Sequence, residues 1–321
     1  MVSWFEGFQA ERFKVNGVEI FARHGGARGK PPLLLLHGFP QTHAIWHRVA
    51  QQLAADYTLV MPDLRGYGDS SQPPGLPDHA NYSKREMARD LVALMTALGA
   101  PSFYLAGHDR GGRVAHRLAL DHPGRVKKLC LIDIAPTLDM YNATSMAFAR
   151  GYYHWFHLIQ PAPLPEIMIG GNPLAYLHVK LGGWNHGSPR ADAAAQGRSD
   201  PGAAGRRSGG LSTIEPHALA EYERCFCRPE AIHAACEDYR ASAGIDLEHD
   251  QDSRDRGEKI ACDTMVLWGE RGLVHRLFQP LALWQAQCEG TVSGQVVPAG
   301  HFIPEELHRE AADALWSFMR D

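Results

Sequence analysis

The sequence predicts an α/β fold: a mostly parallel sheet flanked by helices, with a helical lid inserted in its second half. Three observations carry that expectation. Short, almost wholly apolar runs alternate with helix-compatible segments from residue 17 to 136, as parallel strands buried on both faces require. A glycine-flanked turn, Gly107 to Gly111, joins one such run directly to a helical segment. From Ala143 to about Asp238 the pattern turns helical and aromatic, without buried strands. At 321 residues the chain can bury a large core, and one domain with an inserted lid suits that length better than two equal domains. The division is residues 1–136 for the first part of the core and 137–245 for the lid, which carries a flexible insertion near 187–210. Residues 246–321 form the second part of the core.

Taken in order, Pro31-Pro32-Leu33-Leu34-Leu35-Leu36 is a continuous apolar strand, and it runs into His37-Gly38-Phe39-Pro40. Tyr57-Thr58-Leu59-Val60-Met61 is the next strand, followed by Asp63-Leu64-Arg65-Gly66-Tyr67-Gly68-Asp69-Ser70, a loop of structural rather than catalytic character. Ser102-Phe103-Tyr104-Leu105-Ala106 reads as a short buried strand, and Arg113 to His122 as the helix after it. Lys128-Leu129-Cys130-Leu131-Ile132 ends at Asp133. The core resumes at Ile260 with the strand Met265-Val266-Leu267-Trp268-Gly269, and a helix from Glu305 to Met319 closes it. Sequential strands joined through helices imply right-handed crossovers.

Gly107-His108-Asp109-Arg110-Gly111 has the shape of the Gly-x-Ser-x-Gly nucleophile elbow of the α/β-hydrolases, with aspartate in place of serine. That exchange sets the chemistry. A carboxylate is ionised at neutral pH and needs no base to deprotonate it. Its attack on an acyl carbonyl would leave an unfavourable mixed anhydride. Attack on saturated carbon leaves an alkyl ester that activated water can hydrolyse. Alkyl halides and epoxides fit such a nucleophile; peptides and lipids do not.

The remaining machinery follows from position. In this fold the loop after the first central strand supplies one oxyanion-hole N–H and the residue after the nucleophile the other, here Phe39 and Arg110. His301, in Val296-Val297-Pro298-Ala299-Gly300-His301-Phe302, stands near the C-terminus on a loop that follows a strand and a glycine, where the base belongs. The acid has two candidates. Gly272 occupies the usual position of that carboxylate, which leaves Glu270 locally, while Asp133 lies at a strand end that also reaches the histidine. Asp133 is favoured, to hold the imidazole tautomer and stabilise the imidazolium.

Arg110 and Arg113 open the helix after the nucleophile, where the backbone already carries partial positive charge. Two guanidiniums buried there need an anion. They either pair with Asp109 and Asp133 or clamp a substrate carboxylate, as a guanidinium fork does well. The second reading implies a 2-haloacid, held with its halogenated carbon against Asp109.

At this point the chain resembles the haloacetate dehalogenases, and among them the fluoroacetate dehalogenases. Gly107-His108-Asp109-Arg110-Gly111-Gly112-Arg113, Tyr153-His154-Trp155-Phe156 and Cys236-Glu237-Asp238-Tyr239-Arg240 match that family's segments in the right order. The resemblance implies that His154, Trp155 and Tyr239 donate hydrogen bonds to the departing halide. Fluoride leaves poorly unless several donors meet its developing charge in a dry pocket. Without the resemblance, His154 and Trp155 read first as an aromatic core patch in a helical lid, among Tyr152, Tyr153, Phe156 and His157. Trp184, in Gly182-Gly183-Trp184-Asn185, is a further candidate for the pocket lining. Nothing in the sequence separates Tyr222 or the remaining histidines from ordinary surface chemistry. The resemblance also implies a homodimer through the lid. One stretch departs from the family: Gly187 to Gly210 has no aromatic or β-branched residue and is rich in Gly, Ala, Arg and Ser, which predicts a mobile excursion on the lid.

A net charge of −4 and a pI near 6.5 give no signature for nucleic-acid binding. The six cysteines show no metal or redox spacing, and with no N-terminal apolar segment they read as reduced thiols of a cytoplasmic protein. No apolar run approaches a membrane span, and no phosphate loop or metal constellation implies a cofactor. Hydrolysis of haloacids is the leading reading. An epoxide hydrolase would share Asp109, His301 and the acid and would use the lid tyrosines Tyr152, Tyr153 and Tyr239, but a neutral epoxide gives the paired arginines nothing to bind. A non-catalytic receptor on the same scaffold would have no use for a complete triad.

Overall fold

The computed structural model describes residues 4–183 and 211–320. Eight strands make one sheet: β1 (Phe8–Val15), β2 (Val18–Gly26), β3 (Pro32–Leu36), β4 (Thr58–Pro62), β5 (Phe103–His108), β6 (Val126–Ile132), β7 (Asp263–Gly269) and β8 (Val292–Val297). They lie in the order β1-β2-β4-β3-β5-β6-β7-β8. From β4 to β8 across the sheet every pairing is parallel, whereas β1 and β2 pair antiparallel and β2 pairs antiparallel with β4. The sheet is therefore less uniformly parallel than the alternation from residue 17 implies. The reason is local. Asn16 and Gly17 both take positive φ (47° and 78°), and a two-residue turn of this kind can join only antiparallel neighbours.

The apolar strands are buried on both faces. Leu34 and Leu36 belong to one core cluster and Leu33 and Leu35 to the other, so alternate side chains of β3 serve opposite layers. Each leucine so buried contributes about 1.5–3 kcal/mol. Of the helices, α1 (His47–Leu53) packs on the C-terminal helix, whereas α2 (Lys84–Ala97) packs on α3 (Arg110–Asp121).

After β6 the described residues 133–259 contain no strand. They hold α4 (Thr137–Asn142), α5 (Met146–Gly151), α6 (Tyr153–His157), α7 (Leu164–Gly170), α8 (Pro173–Gly183), α9 (Pro216–Phe226), α10 (Pro229–Ala243) and α11 (Ile245–Asp255). Lid residues Phe148, Trp155, Leu177, Tyr222 and Tyr239 belong to the same apolar cluster as Leu34 and Val114 of the core, so the lid is fused to one face of the sheet. No helix among the described residues is long and apolar enough to cross a membrane. Beyond β7 come α12 (Leu273–Leu277), α13 (Pro280–Gln285), α14 (Ile303–Glu306) and α15 (His308–Arg320). The single closing helix expected from Glu305 is thus two, broken at Leu307 (φ −135°, ψ 56°). The break lets Glu306 turn back, where its carboxylate accepts the N–H of Gly300 at 2.8 Å and of Phe302 at 3.1 Å, pinning the loop that carries His301.

Candidate active site

The elbow forms because the backbone between β5 and α3 reverses in a single residue. Asp109 has φ 47° and ψ −116°, a conformation that side chains rarely adopt and that neighbours must enforce. They do so by close approach. A Cβ on Gly107 would lie 2.5 Å from the Gly111 carbonyl oxygen, and one on Gly111 would lie 2.3 Å from the His37 oxygen. The helix accordingly begins at Arg110 rather than at Arg113 as its composition suggests. Contact with β3 outweighs the poor helix propensity of Gly111 and Gly112. The Phe39 N–H donates to Asp109 Oδ2 at 3.0 Å, so the expected oxyanion donor already faces the carboxylate.

His301 and Asp133 meet beside the elbow. His301 Nδ1 lies 2.6 Å from Asp133 Oδ2, and Asp133 Oδ1 accepts the Gly269 N–H at 3.0 Å. Both residues are buried, whereas Glu270 is exposed, so geometry separates the two candidate acids. Gly272 explains why: a Cβ there would crowd the Asp133 carboxylate at 3.2–3.3 Å, and its absence leaves the room. His108 also buttresses His301. Its Nε2 lies 2.8 Å from the His301 carbonyl oxygen, and the two rings are 4.6 Å apart. Burial, then the neighbouring His301, pushes the His108 imidazole down to about 3, so it is neutral and donates that proton.

The arginines do not pair with Asp109 and Asp133. Arg110 instead makes a side-on pair with Asp238, Nε to Oδ2 and Nη2 to Oδ1, both at 2.8 Å. Its Nη2 also donates to the Asp238 carbonyl and to Ser242 Oγ, and its face lies 4.1 Å from the Tyr239 ring. Lys84 Nζ and Tyr67 O–H reach the same carboxylate. Against the upward push of burial, Arg110 and Lys84 hold the Asp238 carboxyl well below the usual range. Arg113 is different. Its contacts are Thr137 Oγ1 at 2.9 Å, the Ala135 carbonyl at 3.2 Å, Met140 Sδ at 3.3 Å and the Trp155 ring at 4.6 Å, with no carboxylate in salt-bridge range among the described residues. Burial and then Arg110 lower its pKa.

The lid donors converge on the same space. His154, Trp155 and Tyr239 are all at most 1% exposed. The Phe39 ring stacks on His154 at 5.9 Å and meets Tyr239 edge-on at 5.3 Å, and His154 and Tyr239 are 5.6 Å apart. Among the described residues, Trp155 Nε1 and Tyr239 O–H are buried without a hydrogen-bond partner, as are Arg110 Nη1 and Arg113 Nε. Such groups are costly unless a ligand meets them. Burial, reinforced by Lys180, keeps the His154 imidazole well below its ordinary pKa. An aromatic core patch explains the rings but not the unpaired donors.

Trp184 and the segment 187–210 lie outside the described residues. Tyr222 is not a surface residue: it is fully buried and donates to Glu305 Oε1 at 2.5 Å. Asp63 accepts the His43 N–H and side chain at 2.8 Å, and Arg65 pairs with Asp90, which gives the Asp63–Ser70 loop its structural role. Sequence reasoning missed Asp238, Lys84 and Tyr67. The only signal was that Asp238 adjoins Tyr239. Among the described residues two clusters of donor side chains occur elsewhere, Asp69–Glu221–Cys225 and Glu166–His233–Glu237. In each an arginine already engages both carboxylates, Arg224 and Arg240 respectively, which makes them ion-pair networks rather than cation cages.

A family model for the alpha/beta hydrolase fold matches residues 31–306. A fluoroacetate dehalogenase from Burkholderia sp is 42% identical over 99% of this chain and 95% of its own length. A soluble epoxide hydrolase from Corynebacterium sp. (strain C12) is 30% identical over 89% of each. Among solved structures, a Nostoc sp PCC 7120 protein described as an alpha/beta hydrolase superposes with a TM-score of 0.85 at 49% identity, covering 98% of this chain and 99% of that one.

Proposed function

Because the chain belongs to the α/β-hydrolase family, and to the branch of it that contains fluoroacetate dehalogenase, we propose that it hydrolyses short 2-haloacids, fluoroacetate or chloroacetate, to glycolate and halide. The single observation that carries the choice of substrate is the buried charge of Arg113, which meets Thr137, Ala135, Met140 and Trp155 but no carboxylate in salt-bridge range among the described residues, in the first turn of the helix that follows the elbow. A substrate carboxylate supplies such a partner.

The Asp109 carboxylate attacks the carbon bearing the halogen from the side opposite the halide. The carbon–halogen bond breaks with its electron pair leaving on the halide, which accepts hydrogen bonds from Trp155 Nε1–H, Tyr239 O–H and the His154 ring. The product of this step is an aspartyl ester. His301 then takes a proton from water, and the hydroxide adds to the ester carbonyl while the backbone N–H groups of Phe39 and Arg110 stabilise the oxyanion. Collapse of the adduct expels the glycolate alkoxide, which takes the proton back from the His301 imidazolium, and the Asp109 carboxyl left behind loses its proton to solvent and becomes the carboxylate again. Asp133 holds Nδ1 of the base and stabilises the imidazolium. No step needs a cofactor.

Epoxide hydrolysis would use the same Asp109, His301 and Asp133, with Tyr239 and Tyr152 as acids toward the epoxide oxygen. It leaves Arg113 without a salt-bridge partner, which is why it stands second. The two readings separate when the protein is incubated with fluoroacetate, chloroacetate and styrene oxide: halide release without diol is expected, and diol without halide overturns the assignment. The reading includes a cytoplasmic homodimer joined through the lid, where Leu164, Ile167, Met168, Leu174 and Val179 of α7 and α8 are exposed. Light scattering that returns a monomer mass removes that part.

A further inference from the structure

The two arginines of the clamp are held in different ways. Arg110 has five N–H donors, and Nε and Nη2 are committed to Asp238 and Ser242. Only Nη1 remains unpartnered. Lys84 and Asp246 complete this cluster, with Lys84 Nζ 3.2 Å from Asp246 Oδ2, so two cations face two carboxylates and the charge of Arg110 is already balanced. The cluster is sealed: Arg110, Asp238 and Ser242 have no exposed surface. Arg113, by contrast, has no carboxylate in salt-bridge range among the described residues, and the only carboxylate that acts on its charge is that of Asp109. Within this haloacid reading, Arg110 fixes direction and Arg113 supplies the attraction.

We infer that Asp238 is a positioning residue for the reaction. It spends two of the three guanidinium nitrogens of Arg110, leaves Nη1 as the single point offered to the substrate carboxylate, and locks the plane of the guanidinium against the Tyr239 ring. Asp238 and Tyr239 are consecutive on lid helix α10. One helix turn therefore sets both ends of the substrate: the carboxylate end through Asp238 and Arg110, and the halide end through the Tyr239 hydroxyl. The distance between those ends determines whether the halogenated carbon lies in line with Asp109, and a misplacement near 1 Å costs about 10²-fold in rate.

Asp238→Asn keeps the shape and removes the charge. Arg110 then loses its balancing anion and can turn other nitrogens toward a carboxylate. Binding of anions persists while alignment is lost. The expected result is that kcat for chloroacetate falls at least tenfold, while the inhibition constant for acetate is unchanged or lower. Thermal melting establishes that the variant is folded. A kcat within twofold of the parent overturns the inference, and so does an acetate inhibition constant that rises in step with the loss of kcat, which is the signature of a merely structural role. Ser242→Ala removes one 2.6 Å acceptor of Arg110 without touching the ion pair, and it carries the test if Asp238→Asn does not fold. The same pattern is expected in it, severalfold in kcat with acetate inhibition unmoved, and an unchanged kcat overturns the inference equally. Parent protein that releases no halide refutes the haloacid reading itself; parent that turns over normally beside an indifferent variant refutes only the role of Asp238.

Discussion

The ends of the central strands and the lid helices packed over them hold their polar groups with opposite habits. At the strand ends the ionised groups are already engaged: Asp109 with the Phe39 N–H, and Asp133 with His301 and the Gly269 N–H. Across from them the lid leaves Trp155 Nε1 and Tyr239 O–H, both neutral donors, without partners. The core half has these ionised groups satisfied at rest, whereas the lid half keeps two buried donors unused among the described residues. This division suits a reaction in which negative charge moves from one side to the other, from the Asp109 carboxylate onto the leaving halide.

The largest break comes from removing the charge at the strand ends. Asp109→Asn is expected to lower halide release by more than about 10⁴-fold, as loss of a nucleophile does elsewhere. His301→Asn should act differently: one turnover of halide, then an intact protein heavier by one carboxymethyl group. Reaction without that adduct would refute the two-step mechanism. Lid variants cannot mimic this behaviour, because the lid supplies no bond to carbon.

Next in size is the boundary between the two regions. Arg113→Ala should cost on the order of 2–5 kcal/mol in kcat/KM for haloacetates, the range for truncating one partner of a buried charge pair. Acetate inhibition should weaken with it, unlike in Asp238→Asn. Unchanged kinetics in Arg113→Ala would refute the clamp.

A sharper and smaller effect tests the lid donors against the halogen. Tyr239→Phe and Trp155→Phe each remove one donor to the leaving group, and fluoride depends on such donors more than chloride. The ratio of fluoroacetate to chloroacetate turnover should therefore fall about tenfold, one lost hydrogen bond to a charged group being worth roughly 1.5–3 kcal/mol. A ratio that stays constant while both rates drop assigns the two side chains to packing alone.

The same division explains what was legible in the sequence. Asp109, His301 and Asp133 sit at strand ends, and their places follow from chain order, glycines and apolar runs, which are local signals. Even the choice of Asp133 over Glu270 rests on a missing side chain, that of Gly272. His154, Trp155 and Tyr239 carried no such signal; the aromatic neighbours of His154 and Trp155 read as a core patch, and only likeness to a family marked the three. Asp238 was harder still. Its partners Lys84, Arg110 and Tyr67 come from 128 to 171 residues earlier in the chain, and no pattern of spacing encodes a contact across that separation. The antiparallel β1 and β2 were missed for a simpler reason: the Asn16-Gly17 turn was there to be read as a hairpin signal.

The smallest effect separates the two regions by pH. In the lid, burial lowers the Lys180 ammonium to about 7, its Nζ lying 3.5 Å from the Tyr153 ring. Beside the His301 loop, burial raises the Glu305 carboxyl to about 7, against the opposing pull of Tyr222 and Arg48. For Lys180 the unfolded chain holds a proton between pH 7 and 10.5 that the folded chain has released, so this group makes stability rise with pH in that window. For Glu305 the folded chain keeps the proton between pH 4.5 and 7, so its contribution is lost as pH rises through that range. The buried histidines of lowered pKa, His37, His47, His108, His116 and His154 among them, slope opposite to Glu305 in the acid range, so each group is isolated only by the difference between variant and parent. Lys180→Met should flatten the rise in melting temperature between pH 7 and 9, and Glu305→Gln the fall between pH 5 and 7, each by a few degrees at about 2–4 °C per kcal/mol. Parallel melting curves for Lys180→Met and parent above neutrality would mean that the lid ammonium keeps its proton in the folded protein, and that the lid is wetter than its packing indicates.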